Sequence, residues 1–261
     1  MLSKLFKHEL KATARLLLPL YMILAVLTIL DRIALNLDIF TGALTVIPAF
    51  ITIAYVVSLI AIIVVSFVII IMRFYKNLMT DEGYLMFTLP VKSHQLITSK
   101  LLASILWTVT SVVAVIASLF AVFATSETWR LMIEGFKMVM AELRTELHGF
   151  STILIIEFIL LVIFSLINGI LEIYASVAIG QLFNGHKVIG SFAAYIGITT
   201  AIQIIVSAFL FIASLIFKHT ITEVEAIPQL VFPITLLFLL VFSIIFYWIT
   251  NFIFKRKLNL E

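Results

Sequence analysis

Long apolar runs alternate with short charged islands along the whole chain. A membrane-spanning helix needs about 20 consecutive apolar residues, and on that basis the runs predict six spanning helices. Their predicted extents are Leu16 to about Leu35, a part of Ile39–Met72 entering at Pro48, Leu101–Thr125, Ser151–Phe183, a part of Val188–Phe217, and Pro233–Phe254. The predicted fold class is therefore all-α, an integral membrane protein with six transmembrane helices.

Composition agrees with this pattern. Of the 261 residues, 63% are hydrophobic and 12% are charged, whereas a soluble domain carries about 25% charged residues. A water-soluble globular protein is excluded. The chain has no cysteine, which excludes disulfides, thiolate zinc sites and cysteine nucleophiles. No internal repeat or linker divides the sequence, so residues 1–261 are predicted to form one transmembrane domain.

The distribution of basic residues predicts the orientation. With six spans both termini share one side, which receives twelve of the 17 Lys and Arg residues, against five on the other side. Cytoplasmic loops are enriched in Lys and Arg. Both termini, including the tail at 255–261, are therefore predicted to be cytoplasmic.

The first 15 residues form an amphipathic pattern. Projected on a helix, apolar side chains such as Leu2 and Phe6 share one arc, and basic ones including Lys11 and Arg15 share the opposite arc. Such a segment is typical of an interfacial helix, although a helical orientation signal is the alternative. Glu9 falls on the apolar arc, where a carboxylate is costly unless it is paired. It predicts a protein neighbour for this helix.

A predicted cytoplasmic excursion, the loop at 73–100, follows spans one and two (16–72) and precedes span three (101–125). This loop is too apolar to be a solvated one. Its centre would expose Tyr84, Leu85, Met86, Phe87 and Leu89. Exposed apolar surface rimmed by charge usually marks a partner, and a segment lying on the membrane surface is the alternative. Pro90 is predicted to end the first element, and Ser93 to cap a helix that runs into the third span.

Two further segments are predicted on the outer side. Within 126–150, apolar residues from Trp129 to Leu147 recur at helical spacing, which predicts an amphipathic surface helix. This helix is expected to connect two spans, and a lid over an exit path is the alternative. The fifth apolar run has 30 residues, about 45 Å as helix against a hydrocarbon core of about 30 Å. Two arrangements would accommodate the extra length of this run, which belongs to the region 151–254 with spans four to six. The helix could tilt, or the chain could break and fold back over His219–Pro233.

Patterns of catalytic chemistry are missing. The sequence contains no His-Glu-x-x-His, no Gly-x-Ser-x-Gly and no metal-ligand cluster. The run Gly180–Lys187 has the Gly-x-x-x-x-Gly spacing of a P-loop but continues His-Lys where Lys-Ser or Lys-Thr is required. We therefore expect no catalytic residue, no metal and no cofactor in this chain, which is expected not to be an enzyme.

Two acids fall inside predicted spans, and intramembrane carboxylates are functional hypotheses by default. Glu157 lies near the outer end of its span, where it can reach water. Glu172 is deeper and lies one turn beyond Asn168, so the two can form an i, i+4 polar pair facing the protein interior. A proton pathway and interhelical hydrogen bonding both explain such a pair.

Three segments resemble one family. The run Asp81–Pro90, followed by Ser93 and Lys100–Leu102, resembles the cytosolic loop of ABC type-2 exporter permeases from Firmicutes-like bacteria. The segments Glu9–Arg15 and Gly180–Lys187 are similar to the same family.

The resemblance implies half of an exporter in the bacterial plasma membrane. A second permease chain, identical or paired, and two ABC ATPase subunits would be its partners, with ATP and magnesium on the ATPases and no role for nucleic acid. The loop would form a coupling helix that fits the ATPase, with the N-terminal helix packed beside it. The coupling residues implied are Asp81, Glu82, Gly83, Tyr84, Leu85, Phe87, Leu89 and Pro90. The implied cargo is amphiphilic, such as a peptide antibiotic, a lipid-like molecule or a drug.

Three other functions stay open. A proton-coupled secondary transporter would use Glu172 as its carrier, and a membrane-anchored immunity or sensing protein would bind without transport. An integral membrane enzyme is disfavoured because no acid, base or metal constellation converges.

Overall fold

A computed structural model describes residues 2–36, 46–79, 92–123, 125–146, 151–183, 185–216 and 226–256. These residues contain seven helices and no strand. The helices are α1 (Leu2–Asn36), α2 (Val46–Met79), α3 (Ser93–Phe123), α4 (Ser126–Glu146), α5 (Ser151–Gly180), α6 (Lys187–Ile216) and α7 (Ala226–Arg256). All except α4 are long and apolar enough to cross a membrane. The predicted all-α membrane fold with six spans is confirmed, and the chain is a multi-pass membrane protein.

The N-terminal amphipathic segment and the first span form a single helix. The 35 residues of α1 continue without interruption from Leu2 to Asn36, a length of about 52 Å. No glycine interrupts this stretch, and Pro19 is accommodated inside the helix. The predicted arcs are preserved, because Lys11 and Arg15 are exposed while Leu5 is half-buried.

The other predicted ends shift by a few residues. Helix α2 begins at Val46, which places Pro48 in the first turn, where no intrahelical donor is lost. Gln95 donates its backbone N–H to the carbonyl of Lys92 at 2.9 Å, and α3 begins at Ser93, the residue predicted to cap it.

The long fifth run is one unbroken helix through Ile216, so no break is found within α6. Residues 217–225 lie outside the described part of the chain. From Ala226 the backbone is helical, so α7 begins seven residues before Pro233 and contains this proline. The C-terminal part of the predicted fold-back segment is therefore the first two turns of the last span.

The chain forms two compact units. The first comprises Met1–Arg73 and Thr98–Lys137, with α1, most of α2 and α3, and the start of α4. Its apolar core includes Leu24, Tyr55, Ile62 and Val122. Large apolar side chains such as Met22 face outward, while several polar groups are buried, which is the arrangement expected of helices surrounded by lipid.

The second unit comprises Phe74–Ile97 and Met138–Glu261. Within it α5 packs against α6 and α7, and the C-terminal half of α5 is its most buried segment. The ring of Phe74 stacks on that of Tyr174 with centroids 3.7 Å apart. Small residues, including Ala175 and Ala178, allow neighbouring helices to approach closely.

Helices α5 and α6 approach each other closely at Gly180, the last residue of α5. A Cβ atom there would overlap the backbone of Ser191 on α6. The connecting turn ends at Gly185, whose φ of +85° lies in the left-handed region that favours glycine. The Gly180–Lys187 pattern is therefore explained by a tight helix connection, and the described residues place no strand before it, as a P-loop would require.

Candidate functional site

Three charged side chains meet inside the first unit: Glu9 of α1, Arg73 of α2 and Lys100 of α3, called here the ion cluster. Lys100 Nζ donates to Glu9 Oε1 at 2.6 Å, and Arg73 Nη2 donates to Glu9 Oε2 at 3.1 Å. Glu9 is 5% exposed and Lys100 is 4% exposed. The partners predicted for Glu9 from its place on the apolar arc thus come from the same chain.

The ion cluster joins α1 to the two helices that border the segment 80–91 in the chain. Arg73 precedes the segment 80–91 and Lys100 follows it, so the two cations flank the excursion in the chain. Because one carboxylate bridges both cations, the helix that enters the segment and the helix that leaves it are tied to each other and to α1. The predicted coupling residues, Asp81 to Pro90, lie outside the described residues.

A series of hydroxyl groups continues from the ion cluster along the interior of the first unit. We call Thr13, Tyr21, Thr28, Tyr55, Ser66, Ser111 and Ser118 the hydroxyl seam. Trp107 Nε1 donates to Thr13 Oγ1 at 2.7 Å.

At the next levels of the seam, Ser111 Oγ lies 2.8 Å from Tyr21 OH and 2.9 Å from Ser66 Oγ. Ser118 Oγ lies 2.7 Å from Thr28 Oγ1 and donates to Tyr55 OH at 3.0 Å. Each group of bonds joins side chains of α1, α2 and α3.

The seam is interrupted by apolar levels. Leu17 and Leu24 are buried on the same face of α1, between the polar levels. The seam therefore holds three helices in register and does not form a continuous polar path. Sequence analysis missed it, although Ser111 and Ser118 stand seven residues apart within an apolar run, which is the spacing of a single helix face.

Asp31 is a second buried acid in the first unit. It is fully buried, and its Oδ1 accepts a hydrogen bond from Thr52 Oγ1 at 2.7 Å. Within the described residues, Oδ2 has no protein partner. The neighbouring Arg32 donates to the backbone carbonyls of Ala121 and Val122. Asp31 falls near the end of the first predicted span, and the structure buries it between helices.

The intramembrane polar residues of α5 contact two different helices. Asn168 Nδ2 donates to Ser243 Oγ at 3.1 Å and to the carbonyl of Leu239 at 3.2 Å, both on α7. Glu172 Oε1 accepts from Thr199 Oγ1 of α6 at 2.7 Å. Each residue thus makes an interhelical hydrogen bond, and Glu157 is half-buried near the start of α5.

Removing the Asn168–Ser243 bond is expected to have a small effect. Interhelical hydrogen bonds in membranes contribute about 0.6 kcal/mol on average. We expect Asn168→Leu and Ser243→Ala to lower the free energy of unfolding non-additively, with a coupling of about that size in a double-mutant cycle. A coupling above about 2 kcal/mol would show that this bond does more than join two helices.

Comparison with known proteins leaves the function to be argued from these contacts. No protein-family model matches the chain, and no curated protein or solved structure gives a significant match. Within the described ranges, no group of three or more His, Asp or Glu side chains lies close enough to hold a metal ion.

Proposed function

We propose that this chain is the membrane-spanning permease subunit of an ATP-driven ABC exporter for an amphiphilic substrate. The observation that carries the proposal is the ion cluster, in which Glu9 joins α1 to the two helices that flank the apolar cytoplasmic segment 80–91. An ion bridge at this place can pass a displacement of the segment to α1, because separating its members would leave buried charges unpaired. The resemblance of Asp81–Pro90 to a coupling loop supports the same function.

In this mechanism the chain converts a movement of its cytoplasmic loop into a movement of its spans. Two partner ATPases bind ATP and magnesium, and their closure displaces the residues from Asp81 to Pro90. The displacement passes along the backbone to Arg73 and Lys100, and Glu9 carries it to α1. The bridge makes the three helices respond together, because separating them would leave buried charges unpaired.

Substrate class follows from the apolar character of the spans. A pathway lined by Phe, Leu and Ile side chains gives little stabilisation to small ions, which lose their hydration on entry. It suits amphiphiles such as a peptide antibiotic, a lipid-like molecule or a drug. A complete exporter would contain two permease chains, identical or paired with a sister chain.

The coupling role is tested by the triple variant Asp81→Ala, Glu82→Ala and Phe87→Ala. We expect at least tenfold less of a coexpressed ABC ATPase partner to copurify with the variant than with the wild type, and export to fall in proportion. The control is Glu134→Gln on the exposed outer helix, which should copurify normally. Undiminished assembly and export by a correctly inserted triple variant would contradict the proposal.

One observation favours a second candidate, a proton-coupled transporter. Glu172 lies within the apolar helix α5, and its Oε1 accepts a hydrogen bond from Thr199 of the neighbouring helix α6. Transport that persists in vesicles without ATP, collapses with the proton gradient and is abolished by Glu172→Gln would establish this alternative in place of the ABC exporter.

A further inference from the structure

A cavity of about 570 Å³ lies between the end of α3 and the start of α4, within the first unit. Leu119, Phe120 and Phe123 form one wall, and Trp129 and Met132 form much of the other. The rings of Phe120 and Trp129 meet edge to face, with centroids 6.1 Å apart. Since Phe123 and Trp129 are more than half exposed, the cavity is open to the surroundings of the protein.

The surface of the cavity wall is apolar. The hydroxyl of its lining, on Thr128, accepts from the backbone N–H of Thr125 at 2.7 Å. The same hydroxyl donates to the carbonyl of Phe123 at 2.8 Å. A ligand that needs hydrogen bonds would lose them on entry, so the cavity selects hydrocarbon.

The size of the cavity matches a single long hydrocarbon chain. A dry apolar cavity of about 150 Å³ accommodates benzene, so about 570 Å³ suits on the order of twenty carbon atoms. A cavity of this volume left empty in a bilayer would forfeit many dispersion contacts. Residues around it on α3, such as Val113 at 58% exposure, face the same lipid, which supplies hydrocarbon chains directly.

Charge near the cavity favours an anionic lipid. The guanidinium of Arg32 lies against the carbonyls of Ala121 and Val122, in the stretch of α3 between the cavity residues Phe120 and Phe123. A positive charge therefore lies level with the cavity residues along α3. A phospholipid carries its negative phosphate near the glycerol end of its acyl chains, so a chain inserted here brings its phosphate to the level of Arg32.

We propose that this cavity is a binding site for one acyl chain of a membrane phospholipid, held between α3 and α4. The site does not depend on the proposed export function, since neither the ion cluster nor the segment 80–91 contributes to it. The bound chain completes the packing between a spanning helix and the amphipathic helix that follows it. It fixes α4 against the bilayer at the level of Trp129, a residue type enriched at membrane interfaces.

Native mass spectrometry of the whole chain, released from nanodiscs of palmitoyl-oleoyl phosphatidylglycerol, tests the site. We expect the wild-type protein to retain one phosphatidylglycerol per chain. Filling the cavity from either wall, with Leu119→Trp or with Met132→Trp, should reduce the retained fraction at least tenfold. Val113→Trp, which adds the same bulk to a lipid-facing position outside the lining, should retain the lipid as the wild type does.

A second measurement uses the wild-type cavity and needs no filling variant. Phosphatidylglycerol brominated in mid-chain should quench the fluorescence of Trp129, and the quenching should saturate at about one lipid per chain. Trp129→Phe should remove this saturable component. Equal retention by both filling variants and the wild type, or quenching that only rises in proportion to bulk brominated lipid, would overturn the proposal.

Discussion

Replacing Glu9 with glutamine is expected to destabilise the first unit strongly. The variant leaves Lys100, which is 4% exposed, without the carboxylate that neutralises it. Breaking a buried ion pair from one side costs about 3–5 kcal/mol because the remaining charge stays buried. In a mild detergent we expect the midpoint of thermal unfolding to fall by about 10 °C.

An exposed ion pair of the same chain provides the control. Arg130 Nε and Glu134 Oε1 lie 3.7 Å apart on α4, and both side chains are more than half exposed. Glu134→Gln should therefore change the free energy of unfolding by less than about 1 kcal/mol. Adding Lys100→Met to Glu9→Gln should restore much of the loss, since the stranded charge is then gone. A Glu9→Gln protein as stable as Glu134→Gln would show that the cluster carries no net electrostatic stabilisation.

The substitution Gly180→Ala is expected to lower the free energy of unfolding of the second unit. The added Cβ would overlap the backbone of Ser191, and backbone in the first turns of a helix cannot move aside as a flexible side chain can. Overpacking of this kind costs about 1–3 kcal/mol. The ends of α5 and α6 must separate to admit the methyl group, and we expect a lower thermal midpoint together with faster proteolysis in the connecting turn.

Two other glycines separate this steric effect from helix propensity. A Cβ at Gly169 of α5 or at Gly197 of α6 would meet no atom within 4 Å. Alanine favours a helix by about 1 kcal/mol over glycine, so Gly169→Ala and Gly197→Ala should be neutral or stabilising. If Gly180→Ala behaved like these two variants, the close packing of α5 on α6 would not contribute to stability.

The number of helices could be predicted from the sequence because each run of apolar residues between charges is long enough to cross a bilayer. Helix ends were harder to place. Pro233 marked the expected start of the last span, but a proline in the second turn of a helix removes only one donor, and the apolar residues before it continue the helix to Ala226. The amphipathic pattern of the first 15 residues likewise identifies two faces of a helix, but it does not show whether that helix ends before the first span. In the structure the two form one helix, α1.

The candidate site could be predicted only in part. The position of Glu9 on an apolar arc required a partner, but periodicity identifies a face and not the residue opposite it. Arg73 and Lys100 are 64 and 91 residues away in the chain. Asn168 and Glu172 lie one turn apart on α5, yet Asn168 bonds to α7 and Glu172 bonds to α6. Tertiary packing determines the partner helix of each side chain.

The long separation between the members of the ion cluster sets an order of events during synthesis. Glu9 leaves the ribosome 91 residues before Lys100, which at about 5–20 residues per second is roughly 5–20 seconds. During this interval the carboxylate of Glu9 has no Lys100 to bind, although Arg73 follows it after 64 residues. Insertion of the third helix supplies the missing ammonium group, and the first unit closes only after its translation.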